Sequence, residues 1–297
     1  MARVVMFVLN DCRHDARVLR EAATLAAAGH TVTIVARTVD PYAPAGERED
    51  RDGFTILRAP VAAGLLRWAL LGRRPPVLAR AVRAQAVAWL HGGPGGLARL
   101  AGASLVALVA VVVLALPAAL LALLLALRRR PAFRPSWLWL ESRLQWRLGV
   151  MPWTAQAVAA APPADIAHAH DLRALPAARA VRDRDGARLV YDSHEIFTEA
   201  GANATRPARA RAEMLRLERR LAAGADALIT VNDDVAAVLR ERLGQDDIVV
   251  IRNVLPPRGV RLDEPSPLRA ACGLDAATPL LLCHGTFVPH RGFEPVA

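Results

Sequence analysis

The sequence of 297 residues contains no lysine and only three cysteines, so that all 38 of its basic residues are arginine. Three scattered cysteines exclude a disulfide framework and a cysteine-based metal site. The apolar run Val4–Leu9 is too short for a secretory signal peptide, because it leads directly into charged residues. Both features favour a protein of the cytoplasm.

The sequence also lacks the short motifs of several common enzyme classes. No G-x-G-x-x-G follows the first apolar run, and neither G-x-x-x-x-G-K-[ST] nor G-x-S-x-G occurs. The dinucleotide-binding fingerprint, the P-loop and the nucleophile elbow of serine hydrolases are therefore excluded.

Arginine and tryptophan are concentrated in one segment, residues 61–159. It contains all six tryptophans, and between Val61 and Trp153 there are twelve arginines against a single acid, Glu141. Inside it, residues 100–127 carry no charge, and arginines stand at both ends of this run. Apolar length with flanking arginine and tryptophan is typical of a membrane segment. Nucleic-acid binding would require arginines on a polar groove or beside stacking aromatics. We therefore predict contact with a lipid bilayer and no nucleic acid; a very apolar buried core helix is the alternative.

The apolar run 100–127 is predicted to form a re-entrant helical hairpin. One straight helix would be roughly 42 Å long, against a hydrocarbon core of roughly 30 Å. A single crossing would also place the strands before and after the segment on opposite sides of the membrane, where they could not share a sheet. Pro117 offers a break near the middle of the run. We expect both ends of the hairpin, and the protein itself, on the cytoplasmic side of the membrane.

The remaining sequence alternates between valine-rich apolar runs and amphipathic segments, which predicts an α/β fold with a Rossmann-like, doubly wound parallel sheet. Strands are predicted at 3–9, 31–36, 54–57, 165–169, 188–192, 227–231, 247–251 and 279–283, and helices at 15–28, 172–184, 206–223 and 233–243. Residues 1–60 and 160–257 form one predicted domain, which the membrane-associating insertion 61–159 interrupts. Residues 258–297 are predicted to be a linker and the incomplete start of a second Rossmann-like domain.

Three predicted strands end in polar residues that could carry chemistry. The loop after the first strand is Asn10–Asp15, and the later strands end in His168-Ala169-His170-Asp171 and Asp192-Ser193-His194-Glu195. Ligands of open α/β sheets bind at the carboxyl ends of the strands, so these groups are expected to meet in one crevice. Because each ends its strand, His170 and His194 are the main candidates within the crevice.

A metal site is a second interpretation of the two histidines on one strand. His168 and His170 share a strand face, but Leu172 and Arg173 stand where the H-x-H-x-D-H pattern requires Asp and His. With no other ligand cluster in the sequence, we favour one packed histidine, one histidine in the cleft and no metal.

Ordinary structural roles are the alternative for the charged candidates. Asp171 and Glu195 could be helix caps or first-turn carboxylates. Arg17, Arg20 and Glu21 could form a solvated helix face with charge pairs three and four residues apart. Only the joint placement of these residues at neighbouring strand ends favours a site.

Several of these segments, in this order, resemble the retaining glycosyltransferases of family 4, which have the GT-B fold of two facing Rossmann-like domains. The opening Asn10–Ala22, followed by Leu25 and Ala28–Val32, resembles the start of that family. Further resemblances are Asp165–Asp171, Val190–Glu195, Ala225–Val231, Val250–Val254 and His284–Thr286 with Arg291-Gly292. The resemblance covers about 1–58, 160–256 and 279–297 and implies transfer of a hexosyl or other sugar from a nucleotide-sugar with retention at the anomeric carbon.

The resemblance also implies roles for individual residues. His170 would lie near the transferred sugar, and we take His170 and His194 as the catalytic pair. The acceptor would be bound by the N-terminal domain through Asn10, Asp15, Arg17, Asp171 and Glu195. The donor diphosphate would be held by Gly285 and by Arg291, which stands where the family usually has lysine. No metal is expected, because the fold stabilises the diphosphate with cationic side chains and helix N-termini.

The leading hypothesis is therefore a membrane-associated glycosyltransferase acting on a lipid-linked or cell-envelope glycan. The paired glutamates of the family's E-x7-E motif would lie beyond Ala297, so we expect the 297-residue chain not to turn over alone. Two alternatives remain: a non-catalytic membrane-docking remnant or subunit of such an enzyme, and another GT-B enzyme such as a nucleotide-sugar epimerase.

Overall fold

The structure, a computed structural model, describes residues 1–38, 47–60, 132–254 and 266–282, with a few isolated residues between 87 and 130. It divides into two compact units, Met1–Arg252 and Asn253–Ala297. The predicted hairpin lies outside the described residues except for its outermost positions, and Gly285 and Arg291 lie outside them altogether. None of the helices in the described ranges combines the length and apolarity that a bilayer crossing requires.

The first unit is built on a sheet of eight strands. They are β1 (Arg3–Phe7), β2 (Thr31–Arg37), β3 (Glu47–Arg51), β4 (Phe54–Ala59), β5 (Ile166–His170), β6 (Arg188–Ser193), β7 (Ala227–Thr230) and β8 (Ile248–Val250). Within the described ranges its helices are α1 (Ala16–Ala27), α2 (Arg134–Gln145), α3 (Met151–Ala160), α4 (Leu175–Asp185), α5 (Ala208–Ala222) and α6 (Asp233–Leu243), with a π-helical turn at Trp146–Val150 and a 3-10 turn at Gly201–Asn203.

The strand order is β3-β4-β2-β1-β5-β6-β7-β8, and every neighbouring pair is parallel except β3 and β4. The order runs outward in both directions from β1, as in a doubly wound sheet. Two clusters of buried apolar side chains pack against the sheet. The predicted α/β fold with a Rossmann-like parallel sheet is confirmed.

Helix boundaries follow local capping chemistry. Asp15 caps α1 by accepting a hydrogen bond from the backbone N–H of Val18, at 3.3 Å. Asn232 caps α6 in the same way through Val235, and Gly244 ends that helix in the left-handed conformation. The predicted helix at 233–243 is confirmed at both ends.

Among the described strands of the first unit, β3 is the one that the sequence pattern did not predict. Its residues, Glu47–Arg51, are all charged, so the strand has no apolar periodicity, and it pairs on one side only, at the edge of the sheet. The turn to β4 is Asp52-Gly53, and both residues have positive φ, 45° and 83°. This dipeptide is a strong hairpin signal, and it could have revealed the strand.

The last part of the segment 61–159 packs into the core of the first unit. Trp153 of α3 is completely buried, and its indole Nε1 donates a hydrogen bond to the backbone oxygen of Ala36, at 3.3 Å. Ala157, one turn later, is also completely buried. Trp153 thus lies within the segment that was predicted to contact a membrane, but it packs in the core against the sheet.

We expect Trp153→Phe to lower the free energy of unfolding by about 1–2 kcal/mol, because it removes a buried hydrogen bond and leaves a small void. Urea denaturation followed by circular dichroism measures the change. Trp139→Phe is the matched control, since Trp139 is only half-buried on α2. Equal losses for the two variants would contradict the position of α3 in the core.

The second unit contributes one short described helix, α7 (Pro267–Ala271), which Ser266 caps. A strand was predicted at 279–283, but the described residues 279–282 are not in a strand. A strand exists only by pairing, and the described residues of this unit include no partner strand.

Candidate active site at the carboxyl ends of β5 and β6

Strands β5 and β6 are neighbours, and their carboxyl ends bring together the two predicted catalytic histidines. His170 pairs in register with Asp192, and His194 follows two residues after Asp192. The Nδ1 atom of His170 and the Nε2 atom of His194 are 3.1 Å apart. Side chains separated by 24 residues of sequence thus form one cluster.

Asp192 lies at the centre of this cluster, although the sequence reasoning did not select it. Its side chain is completely buried, and its Oδ2 atom lies 3.4 Å from Nδ1 of His170 and 3.3 Å from Nε2 of His194. The Asp-Ser-His-Glu run contained the signal, because a carboxylate that ends a buried strand requires a partner.

Arg17 of α1 supplies that partner. Its Nε and Nη2 atoms donate to the two carboxylate oxygens of Asp192, each at 2.9 Å, and its Nη1 donates to the backbone oxygen of Ile251 at 2.7 Å. The Arg17 side chain is only 5% exposed and that of Glu21, on the next turn, 16%. The alternative of a solvated face is therefore wrong for these two residues, because tertiary contacts cover them.

Charge within the cluster is set by these contacts. Burial alone would raise the pKa of Asp192, but hydrogen bonds from His170, His194 and Arg17 outweigh it and hold that pKa well below its usual range. Burial alone would lower the pKa of His194, but the hydrogen bond to Asp192 and the charges of Asp171 and Asp192 raise it to about 9. His194 is therefore an imidazolium at neutral pH.

His170 and His194 differ in access to solvent. Both side-chain nitrogens of His170 face protein groups and the side chain is 0% exposed, whereas that of His194 is 19% exposed. His168 is also buried, and its ring stacks on that of His170 with centroids 4.3 Å apart. Burial lowers the pKa of His168 well below its usual value, so this imidazole is neutral.

Asp171 adopts a backbone conformation that is uncommon for a residue other than glycine, with φ of 63°. Its Oδ1 atom accepts from the backbone N–H of His194, at 3.0 Å, and its own N–H donates to the backbone oxygen of Asp192, at 2.9 Å. Backbone strain of this kind concentrates at functional sites. Asp171 thus ties the ends of β5 and β6 together.

The loop after β1 is organised by its own polar side chains. Asn10 donates from Nδ2 to Asp15, at 2.8 Å, and accepts the N–H of Cys12 on Oδ1, at 2.8 Å. Asp15 is thereby engaged twice, since it also caps α1. Of the predicted acceptor-binding residues, Asp15 and Arg17 hold protein structure.

A cavity of about 1170 Å³ adjoins the cluster, and Asn10, His170, Asp171 and Glu195 contribute to its lining. Seven arginines line it against three acids, which gives it a positive potential. These arginines are Arg37, Arg143, Arg147, Arg173, Arg206, Arg216 and Arg220, and the acids are Asp171, Glu195 and Glu213. Apolar side chains, among them Trp146, Phe197, Met214 and Leu217, complete the lining.

An open parallel sheet with polar residues at the carboxyl ends of adjacent strands defines the class of Rossmann-like ligand-binding domains. The sequence model of the family Glycosyltransferase Family 4 matches residues 105–258, which are more than half of the sequence. The chain belongs to glycosyltransferase family 4, and the resemblance seen in the sequence is confirmed.

Solved structures similar to this chain include sucrose-phosphate synthase from Thermosynechococcus elongatus, at 16% identity and a TM-score of 0.46, covering 94% of this chain and 54% of that one. An alpha,alpha-trehalose-phosphate synthase (UDP-forming) from Burkholderia vietnamiensis is 13% identical, with a TM-score of 0.37, covering 82% of this chain and 43% of that one. This chain therefore spans about half the length of these proteins. Comparison with curated protein sequences gave no match.

Proposed function

We propose that this chain is the acceptor-binding part of a retaining glycosyltransferase that uses a nucleotide-sugar donor. The observation that carries the proposal is the Arg17–Asp192–His194 arrangement, which places an imidazolium at the carboxyl ends of β5 and β6 in a chain of family 4. In the proposed reaction the bond from the anomeric carbon to the diphosphate oxygen breaks. A bond from the acceptor hydroxyl oxygen forms on the same face of the sugar, and the hydroxyl proton passes to the departing diphosphate oxygen.

His194 is the member of the pair that we propose to contact the substrate. Its Nδ1 atom lies 3.6 Å from Asp171 Oδ2, too long for a hydrogen bond, and its side chain is partly exposed. An imidazolium at this position can donate to an oxygen of the substrate and stabilise negative charge that develops on it. His170, whose ring is buried, would position His194 through their 3.1 Å contact.

The acceptor is proposed to occupy the arginine-rich cavity, with Asn10, Asp171 and Glu195 among its contacts. A positive lining interleaved with apolar side chains suits an amphiphile with an acidic group, such as a lipid-linked glycan. The basic segment 61–159 would hold the enzyme at the cytoplasmic face of the membrane where such an acceptor lies. Gly285 and Arg291 are proposed to bind the donor diphosphate, and no metal is proposed for the transfer step.

The proposal is tested with the product of the whole reading frame, membranes of the source cell and a panel of nucleotide-sugars labelled in the sugar. We expect one donor to place label in the lipid-extractable fraction, in proportion to enzyme. Label confined to free sugar or to an epimerised nucleotide-sugar would contradict the proposal, as would incorporation that continues in membranes without the protein. Membrane binding without incorporation would favour the docking-module alternative.

A further inference from the structure

The cavity described above has two helical walls in addition to the ends of the strands. One wall is the end of α2 with the π-helical turn that follows it, and the other is one face of α5. The apolar or small residues of the two walls are Trp146, Gly149 and Val150 on the first and Ala210, Met214 and Leu217 on the second. Both sets are spaced three or four residues apart, so each forms one face of its helix. An apolar surface inside a cavity suits the apolar part of a ligand.

Fixed contacts hold the two helical walls together. Arg206 precedes α5 and is only 8% exposed, and its Nη1 atom donates to the backbone oxygen of Leu138 at 2.9 Å and to the hydroxyl of Ser142 at 2.5 Å. From α2, the indole Nε1 of Trp139 donates to Oε2 of Glu213 on α5, at 3.0 Å. These bonds set the spacing between α2 and α5, so the cleft between them is largely preformed.

Gly149 is a position in the first wall that packing does not explain. It does not have a positive φ, and no described residue would place an atom within 4 Å of a Cβ added there. Glycine inside a helix is less favourable than alanine, so the fold gains nothing from it. The π-helical turn that contains it is a conformation found frequently at functional sites. The remaining reason for a glycine is the space that it leaves in the cavity.

The charges of the helical walls complement an acidic group. Arg143 and Arg147 line the cavity from the first wall, and Arg216 and Arg220 line it from the second. Glu213 is the one acid that these described walls contribute, and it is already engaged by Trp139. Arginine stems cover apolar surface while their guanidinium groups bind phosphate or carboxylate. The walls therefore suit a ligand that combines a hydrocarbon chain with an acidic group.

We propose that the hydrocarbon chain of the acceptor lies between α5 and the π-helical turn, across Gly149, and that its acidic group lies at the arginines of the two walls. The inference rests on the proposed function and names the feature by which the enzyme selects a chain-bearing acceptor over a free sugar phosphate. Gly149 is then a specificity-determining residue. The cavity volume of about 1170 Å³ exceeds the roughly 300–1,000 Å³ of sites for drug-sized ligands, so it has room for a sugar and part of a chain.

The first test locates a probe in the cleft by fluorescence. The purified chain is titrated with ω-bromoundecyl phosphate below its critical micelle concentration, because bromine quenches tryptophan only at close contact. We expect saturable quenching that Trp146→Phe strongly reduces. Trp153→Phe is the matched control and should retain the quenching, since Trp153 is completely buried in the core. Undecyl phosphate should compete with the probe, and an equal concentration of glycerol phosphate should not.

The second test changes the space at Gly149. Gly149→Leu should weaken binding of the bromoalkyl phosphate by about 10-fold or more, because the added side chain overfills the cleft when the probe is present. Gly149→Ala should weaken it less and should raise Tm by about 1–4 °C, the gain from replacing a helical glycine. Ala212→Leu is the matched control, since Ala212 is exposed on α5 and is not part of the cavity lining. Circular dichroism verifies that each variant is folded.

The outcomes separate this subsite from the proposed function. Quenching that Trp146→Phe leaves intact, equal affinity of Gly149→Leu and Ala212→Leu, or competition by glycerol phosphate would overturn the subsite. Binding that follows the expected pattern, in a protein whose whole reading frame transfers no sugar, would contradict the proposed function alone. Sugar transfer to a lipid acceptor with an acceptor KM that Gly149→Leu leaves unchanged would contradict the subsite alone.

Discussion

Asp192→Asn is expected to lower the free energy of unfolding of the first unit by about 3–5 kcal/mol, because it removes the charge of the buried carboxylate that accepts two hydrogen bonds from Arg17 and leaves only Glu21, 3.1 Å away, to compensate that guanidinium. Arg17 links three elements, since it reaches β6 through Asp192 and the end of β8 through the backbone oxygen of Ile251. Asparagine has one side-chain oxygen, so it cannot accept all the hydrogen bonds that the two carboxylate oxygens accept from Arg17, His170 and His194. Urea denaturation at neutral pH, followed by far-ultraviolet circular dichroism, measures the loss.

Asp233→Asn is the matched control for that variant. Asp233 pairs with Arg252 at 2.9 Å, but its side chain is 76% exposed and that of Arg252 is 65% exposed. The same substitution should cost at most about 1 kcal/mol at such a surface pair. Similar losses at Asp192 and Asp233 would show that the Arg17–Asp192 pair does not hold the carboxyl ends of the strands together.

His194→Ala, made in the product of the whole reading frame, is expected to reduce kcat/KM for sugar transfer by about 10²- to 10³-fold, the usual contribution of a positioned hydrogen-bond donor that stabilises developing negative charge. The change removes the partly exposed imidazolium at the ends of the strands, whereas Asp192 keeps both hydrogen bonds from Arg17. The loss should therefore appear in the rate and leave the fold intact.

Two companion variants separate catalysis from folding. His194→Gln keeps a hydrogen-bond donor without the charge, so we expect an activity between those of the alanine variant and the parent. His30→Gln, immediately before β2, should retain the activity of the parent because the one hydrogen bond of this side chain in the described part of the chain is accepted from the backbone N–H of Ala2. An alanine variant that is folded and transfers sugar at the parental rate would remove His194 from the proposed machinery.

The sheet could be predicted from the sequence because its central strands are short apolar runs between clear helix signals. The ends of β5 and β6 were predictable for the same reason, since His170 and His194 directly follow such runs. The central carboxylate Asp192 and its partner Arg17 were not selected together, because 175 residues separate them and only the crossover of the chain brings them into contact. The pattern of neighbouring residues in the sequence does not show which distant residues come into contact in the fold.

The segment rich in arginine and tryptophan shows a second limit of sequence reasoning. In the sequence Trp153 lies in the same segment as the other five tryptophans. In the structure it packs in the core, where its indole donates a hydrogen bond to the backbone oxygen of Ala36. Nothing in the spacing of residues 146–160 distinguishes a helix that covers a sheet from one that lies on a membrane, because both present apolar and aromatic faces. Whether such a helix packs on a sheet or on a membrane depends on the apolar surface that the rest of the folded chain presents to it.

The anomeric configuration of the glycoside that the product of the whole reading frame forms from its nucleotide-sugar is the most direct test of the account. Proton NMR of the isolated product reads that configuration from the coupling of the anomeric proton. Membership of family 4 and the proposed reaction predict the same anomer as in the donor. A product of inverted configuration, or a reaction that yields an epimerised nucleotide-sugar and no glycoside, would contradict the account.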